Sequence, residues 1–119
     1  MARVSIAEPL IQASLIGEAL DAGPLLVFVA DEDMRYAAVN ARACAVLGYA
    51  RDELLGLRVT DVCRYDEAPE EYEAMKQAGG LTGVAVLTRR DGSTLRFRYW
   101  ARETTVAGLP YYVSAGLPE

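Results

Sequence analysis

Asn40-Ala41-Arg42-Ala43-Cys44-Ala45-Val46-Leu47-Gly48-Tyr49-Ala50-Arg51-Asp52-Glu53-Leu54-Leu55-Gly56 is the stretch whose reading decides the fold. An Asn stands before an alanine-rich run that stops at Leu47-Gly48, and a shorter run repeats that grammar up to Gly56. Asn suits both the end of a strand and the start of a helix, because its amide bonds nearby backbone groups. Gly48 and Gly56 are expected to supply the positive φ of two sharp stops. Two short helices in succession, with Leu47, Leu54 and Leu55 as an apolar floor, predict a thin helical layer beneath a sheet.

On the N-terminal side, residues 25–30 are a short apolar, β-branched run. Asp31-Glu32-Asp33 interrupts it and residues 36–39 follow, which predicts a hairpin. Further upstream, Ser5 and Glu8 have capping-box spacing, Pro9 falls in a first turn and Ala22-Gly23-Pro24 is a stop, so residues 5–20 read as a helix. Its Ile6, Leu10, Ile11, Leu15, Ile16 and Leu20 cover more of the circumference than one shallow contact uses, so part of it faces a second chain or the domain's own sheet.

On the C-terminal side, residues 58–64 are ambiguous. Residues 66–78 read as a helix, acidic at its start and with Lys76 near its end, before Gly79-Gly80. Residues 82–89, a two-residue turn at Asp91-Gly92, residues 94–103 and residues 109–117 then predict a meander. The order predicts an α+β fold: a five-stranded antiparallel sheet with short helices on one face and an N-terminal flanking helix. Residues 1–21 are the flanking helix, 22–117 the domain and 118–119 a connector.

The chain has 119 residues, 52% of them hydrophobic, which fits one globular domain. It contains no His, so Ser-His-Asp or Cys-His catalysis is excluded, as are His-ligated zinc and haem and histidine phosphotransfer. Cys44 and Cys63 lack C-x-x-C spacing and read as free core thiols. A net charge of -5 argues against a nucleic-acid-binding domain. No apolar run is long enough to span a bilayer and no signal peptide is legible, so a cytoplasmic protein without membrane insertion is expected. Asp66, Glu67, Glu70, Glu71 and Glu73 read as a solvated helix face, since they lack the glycine-bearing loop of a calcium site. No metal ligands and no catalytic residues are assigned. An acid-base enzyme would need a carboxylate on the inner sheet face, where only Glu103, at a strand end, comes near.

The element order and the stretch from Asn40 to Gly56 together resemble the PAS sensor-domain family, over about residues 22–117. The most specific signs are the strand-end Asn40, Leu47-Gly48-Tyr49, Glu53-Leu54-Leu55-Gly56, and the Asp91-Gly92 hairpin between two long strands. The resemblance implies a sensory or regulatory module of a bacterial-type signalling protein. Such a module binds a small, mostly apolar ligand between helices and sheet, or relays conformational change through a dimer. The alternative is a ligand-free dimerisation or protein-interaction module.

In the family's light-oxygen-voltage members the photochemical Cys follows, by three residues, the glycine matching Gly56. That position is Val59 here, and Cys63-Arg64-Tyr65 lies four residues late. The flavin-contacting amides align with Leu87, Phe97 and Gly116. Cysteinyl-flavin photochemistry and His-ligated haem are therefore argued against, a thiolate or Tyr haem ligand has little support, and the cofactor stays open.

After the Asp91-Gly92 turn, alternation puts Leu95, Phe97, Tyr99 and Ala101 on one face, and Thr94, Arg96, Arg98, Trp100 and Arg102 on the other. The family's register implies that Phe28, Ala30, Ala85, Leu87, Tyr112, Ser114 and Gly116 also look inward. Small residues there leave room. Either the rings of Phe28, Phe97, Tyr99 and Tyr112 fill it, or a ligand does, oriented by the hydroxyls of Tyr99, Tyr112 and Ser114. The candidate ligand contacts are Phe28, Ala30, Leu47, Val59, Leu87, Phe97, Tyr99, Tyr112 and Ser114.

On the outer face, Trp100 either stacks on its neighbouring arginines or is covered by a helix or partner. Leu10, Ile11, Leu15 and Trp100 are the candidate interface residues of a homodimer. An effector domain or signalling partner is also expected, and the chain reads as an excised segment of a larger signalling protein or as a stand-alone adaptor.

Overall fold

The computed structural model describes residues 8–63 and 80–119. In chain order the elements are α1 (Glu8–Ala22), β1 (Leu26–Asp31), β2 (Tyr36–Val39), α2 (Ala41–Leu47), α3 (Arg51–Leu54), α4 (Val59–Val62), β3 (Gly80–Thr88), β4 (Thr94–Val106) and β5 (Leu109–Pro118). The strands form one antiparallel sheet in the order β2-β1-β5-β4-β3. This is the expected α+β fold. The Ser5 cap, and the helix expected over 66–78 with its acidic group, lie outside the described residues.

Asn40 performs both of its expected jobs. Its Oδ1 accepts from the amides of Ala43, at the start of α2, and Val27, in β1, both at 3.0 Å. Its Nδ2 donates to the carbonyls of Leu20 and Leu25, both at 2.8 Å. A buried amide that uses all its hydrogen-bonding capacity in this way ties three elements to one point. Gly48 closes α2 in the left-handed region, at φ 80°, with its amide on the Cys44 carbonyl. The α2 C-terminus then receives the β3–β4 hairpin: the Arg90 amide donates to Leu47 O and Arg89 Nε to Val46 O.

Four local expectations need correction. Gly56 does not have a positive φ; α3 closes through Leu55 N to Arg51 O and Gly56 N to Glu53 O, and a Cβ at Gly56 would make only ordinary contacts. Leu55 is not part of the floor. It is 39% exposed whereas Leu47 and Leu54 are fully buried, because successive helical residues point about 100° apart and only one of Leu54 and Leu55 can face the sheet. The β3–β4 connection is longer than a two-residue turn: Arg89 N bonds Ser93 O, Gly92 N bonds Arg89 O, and only Gly92 takes a positive φ, 89°. The two-residue turn with both central residues left-handed is instead Ala107-Gly108, at φ 52° and 79°, and β4 runs past Glu103 to Val106 to reach it.

The segment that was ambiguous in sequence becomes α4, laid across the inner sheet face. At one edge Leu57 O accepts from Tyr36 N, and Val59 N donates to Met34 O; at the other, Cys63 bridges to Leu87 of β3. Beneath the sheet the core gathers Leu26, Phe28, Tyr36, Val39, Ala43, Leu47, Leu54, Val62, Ala85, Leu87 and Phe97. By contrast, no residue of α1 is buried. Its anchor is at its C-terminal end, where Asp21 Oδ1 accepts from Ala41 N at 2.8 Å and from Arg51 Nη2 at 2.6 Å, beside the Asn40–Leu20 bond.

Candidate functional site

Alternation along β4 sorts its side chains as expected. Phe97 and Ala101 are buried, Leu95 and Tyr99 half-buried, and Thr94, Arg96, Arg98, Trp100 and Arg102 exposed. Antiparallel pairing then brings the inner residues of neighbouring strands side by side: Ala30 opposite Tyr112, Phe28 and Ala101 opposite Ser114, Ala85 opposite Phe97.

Across this face runs a row of four rings. Tyr36 and Phe28 have centroids 5.6 Å apart, Phe28 meets Phe97 edge-on at 5.7 Å, and Phe97 stacks on Tyr99 at 5.9 Å. Beside the row lies a smaller cluster of Ala30, Ala101 and Tyr112, with Met34, Val59 and Tyr99 against it. Val59 and Tyr99 pack against both groups and form the seam between them.

Eight of the nine candidate ligand contacts belong to the main core that holds the ring row or to the smaller cluster, and the ninth, Ser114, stands between Phe28 and Ala101 on the central strand. Six of the nine are buried, while Val59, Tyr99 and Ser114 are half-buried. Tyr36 belongs to the ring row but was missed, since the register of β1 against β2 shifts between Val29 and Ala30 and β2 buries its two ends instead of alternate residues. An aromatic residue opening a strand was the available signal. Gly116 is small for a reason other than ligand room. A Cβ there would overlap the Arg98 carbonyl oxygen and lie 2.8 Å from Tyr99 Cα, so β5 needs the glycine to approach β4.

The site's chemistry is that of packing and hydroxyls. Neither Cys44 nor Cys63 forms a disulfide. Burial pushes the Cys44 thiol up, against the opposing pull of the Arg51 guanidinium beside it, so it is not activated as a nucleophile. Among the described residues no three Cys, Asp or Glu side chains are grouped to hold a metal ion. Val59 stands at the start of α4, where a cysteinyl-flavin adduct would need its thiol, and Cys63 lies at the far end against Leu87. With no His in the chain, His-ligated haem is excluded as well.

The outer side is open. Trp100 is 47% exposed, with Arg98 and Arg102 on either side of it along β4. A groove of about 550 Å³ separates α1 from the outer side of β1 and β2, with Ser14 and Gly17 on one wall, Val27, Val29, Ala37 and Ala38 on the other, and Asp21 and Arg51 at its end. Sequence reading did not anticipate it. The pair Ser14 and Gly17, one helical turn apart and too small to fill a helix–sheet contact, was the available sign. Among the described residues no helix is long and apolar enough to cross a membrane.

A five-stranded antiparallel sheet that packs its inner face on a few short helices, and leaves a flanking helix and its outer face uncovered, defines the class as α+β. A family model described as the PAS fold matches residues 20–79, half of the chain, and the chain belongs to that family.

Among solved structures, it is similar to a PAS domain from a two-component sensor histidine kinase, at 14% identity and TM-score 0.83, covering 93% of this chain and 99% of the other. The PAS domain of an HTR-like protein from Haloarcula marismortui is 25% identical at TM-score 0.76, covering 94% and 96%. A light-oxygen-voltage (LOV) protein from Rhodobacter sphaeroides superposes with TM-score 0.69 at 14% identity, covering 92% and 67%. No curated protein matches.

Proposed function

We propose that the chain is a regulatory PAS module that works as a homodimer, taking a small, mostly apolar ligand at the inner sheet face and passing the resulting change to α1. The observation that carries this reading is the contrast between the two sides of the molecule. Leu10, Ile11, Leu15 and Ile16 are each between 56% and 71% exposed and Trp100 nearly half exposed, while the sheet's inner face is closed. An apolar helix and a Trp left uncovered on one side favour a partner surface. On the inner side, the half-buried hydroxyl-bearing residues Tyr99 and Ser114 and the small Ala30 and Ala101 favour a ligand that is mostly apolar with one or two polar handles. Asn40 supplies the link, since it bonds the α2 start, β1 and the last turn of α1 at once.

The ring row from Tyr36 to Tyr99 favours a second reading, in which the core is filled and the module only dimerises. Native mass spectrometry of the purified chain, with an absorption spectrum, separates the two. A dimer carrying added small-molecule mass is the expected outcome, a bare dimer mass selects the second reading, and a monomer at high concentration removes both.

A further inference from the structure

The two edges of the sheet are finished differently. The strand order leaves β2 at one edge and β3 at the other. β2 is only four residues long, and the chain leading into α4 is sewn along it: Tyr36 N donates to Leu57 O, Val59 N donates to Met34 O, and Arg35 bridges to Arg58. β3 runs for nine residues, and its pairing with β4 continues without a bulge from Gly80 opposite Arg102 to Thr88 opposite Thr94. On its other side, the one backbone bridge among the described residues joins Cys63 to Leu87. Residues 80–86 therefore present a row of backbone donors and acceptors, roughly 23 Å long, to whatever lies alongside.

Exposed edges are ordinarily blunted by a charge, a proline, a bulge or shortness. β3 has none of these, since Gly80–Thr88 contains no Asp, Glu, Lys, Arg or Pro. Its outward side chains include Thr82, Val84 and Val86, which stand opposite Trp100, Arg98 and Arg96 of β4. Thr82 is exposed and the two valines are half-buried. An edge of this kind is its own complement. Antiparallel pairing of two copies about a two-fold axis at Gly83 sets residue 80 against residue 86 of the second copy, and Thr82 against Val84. That register uses the whole open row, stops short of Leu87 where Cys63 already pairs, and brings no charged residues of β3 together. The β4 strands that carry the arginines are then three strand spacings apart, roughly 14 Å, which exceeds the Debye length of about 8 Å at physiological ionic strength.

We infer that β3 of one copy pairs antiparallel with β3 of a second copy over residues 80–86, joining two five-stranded sheets into one of ten strands. The contact is separate from the surfaces of α1 and Trp100 and does not depend on their being used. Backbone hydrogen bonds hold it, with Thr82 and Val84 packed across its outward side, so it is weaker than an interface built on buried aromatic anchors. Where both two-fold contacts form, they link copies into a row that does not close, and the module clusters as its concentration rises.

Sedimentation of the full chain over a range of concentrations tests it. In this register Thr82→Glu with Val84→Glu sets two pairs of carboxylates directly opposite one another across the axis, and it should raise the Kd of the association step about tenfold or more. Arg98, opposite Val84 within the same copy, accommodates the new charge in the lone chain. Thr82→Glu with Val84→Lys instead sets opposite charges across the axis and should keep Kd within about threefold of the unsubstituted chain. Should either variant fold poorly by circular dichroism, the unsubstituted chain still decides: by residue-resolved amide exchange, those amides of residues 80–86 that point away from β4 should become protected as concentration rises. Loss of association beyond the dimer, or of the dimer itself, in the double Glu variant alone supports the pairing. Equal weakening by both double substitutions, or exchange in residues 80–86 that is the same at every concentration, overturns it. A dimer unchanged by Thr82→Glu with Val84→Glu, and forming nothing larger, overturns the edge pairing and leaves the homodimer reading above standing.

Discussion

Phe97 and Trp100 sit three residues apart on β4 and point to opposite sides of the sheet. Phe97 is 3% exposed, between Phe28 and Tyr99, whereas Trp100 is 47% exposed between two arginines. Both are large aromatics in the same strand with the same backbone pairing to β3 and β5. The difference teaches where this chain spends its apolar surface: one face is used within the copy, and the other is left for something outside it. A strand with one dry face and one charged face is ordinary in an antiparallel sheet, but an aromatic at the centre of the charged face is the exception that asks for a partner.

The comparison can be broken most sharply from the inner side. Phe97→Ala removes a ring that touches two others in a packed interior, and its expected cost is about 3–5 kcal/mol of unfolding free energy by urea denaturation. A loss below about 1 kcal/mol would mean that the row is loosely packed and that ligand room already exists there. A smaller effect is expected at Ala101, which is 2% exposed and lies in the cluster with Ala30 and Tyr112. Ala101→Leu should cost about 1–3 kcal/mol through overpacking while leaving the domain folded. It should also abolish whatever small-molecule mass the native chain retains. Unchanged retention in the Leu variant would place the ligand elsewhere, the groove beside α1 being the next site to examine.

The fold was legible because its punctuation is local. The Asn40 cap on α2, Gly48 and the alternation of residues 95–101 each act on neighbours a few positions away, and each does so as expected. What was not legible depends on distant geometry. The role of Gly116 comes from the approach of Arg98, far away in sequence. The inward turn of Tyr36 comes from a register shift against β1, and the exposure of Leu55 from which side of a one-turn helix meets the sheet. The turns show the same division. Asp91-Gly92 has the stronger local signature, yet Ala107-Gly108 forms the two-residue turn because the long β4–β5 pairing closes there and holds Ala107 at a positive φ. For the candidate site, the inward alternation of β4 was legible and the inward turn of Tyr36 was not, while the groove beside α1 was invisible, since it exists only between α1 and the outer side of the distant β1 and β2.

The smallest effect is expected at Trp100 itself, and it sharpens the comparison most. In the lone chain, Trp100→Ala removes a ring that already meets solvent over nearly half its surface, on a face whose other long side chains are arginines. Truncation there leaves no buried cavity and strands no buried polar group, so the lone-chain stability should change by no more than about 0.5 kcal/mol. The measurement has to be made at protein concentrations where the monomer dominates, because a dimer adds its own concentration-dependent stabilisation to any midpoint. Urea unfolding followed by circular dichroism serves, as the variant has no tryptophan left to report. Repeated at high concentration, the same comparison should open a gap between the parent and Trp100→Ala that is absent in the dilute samples, since only the parent then gains from association. A loss of about 2 kcal/mol or more in the dilute state would show that the indole is packed within its own chain, and the contrast between the two faces of β4 would fall with it.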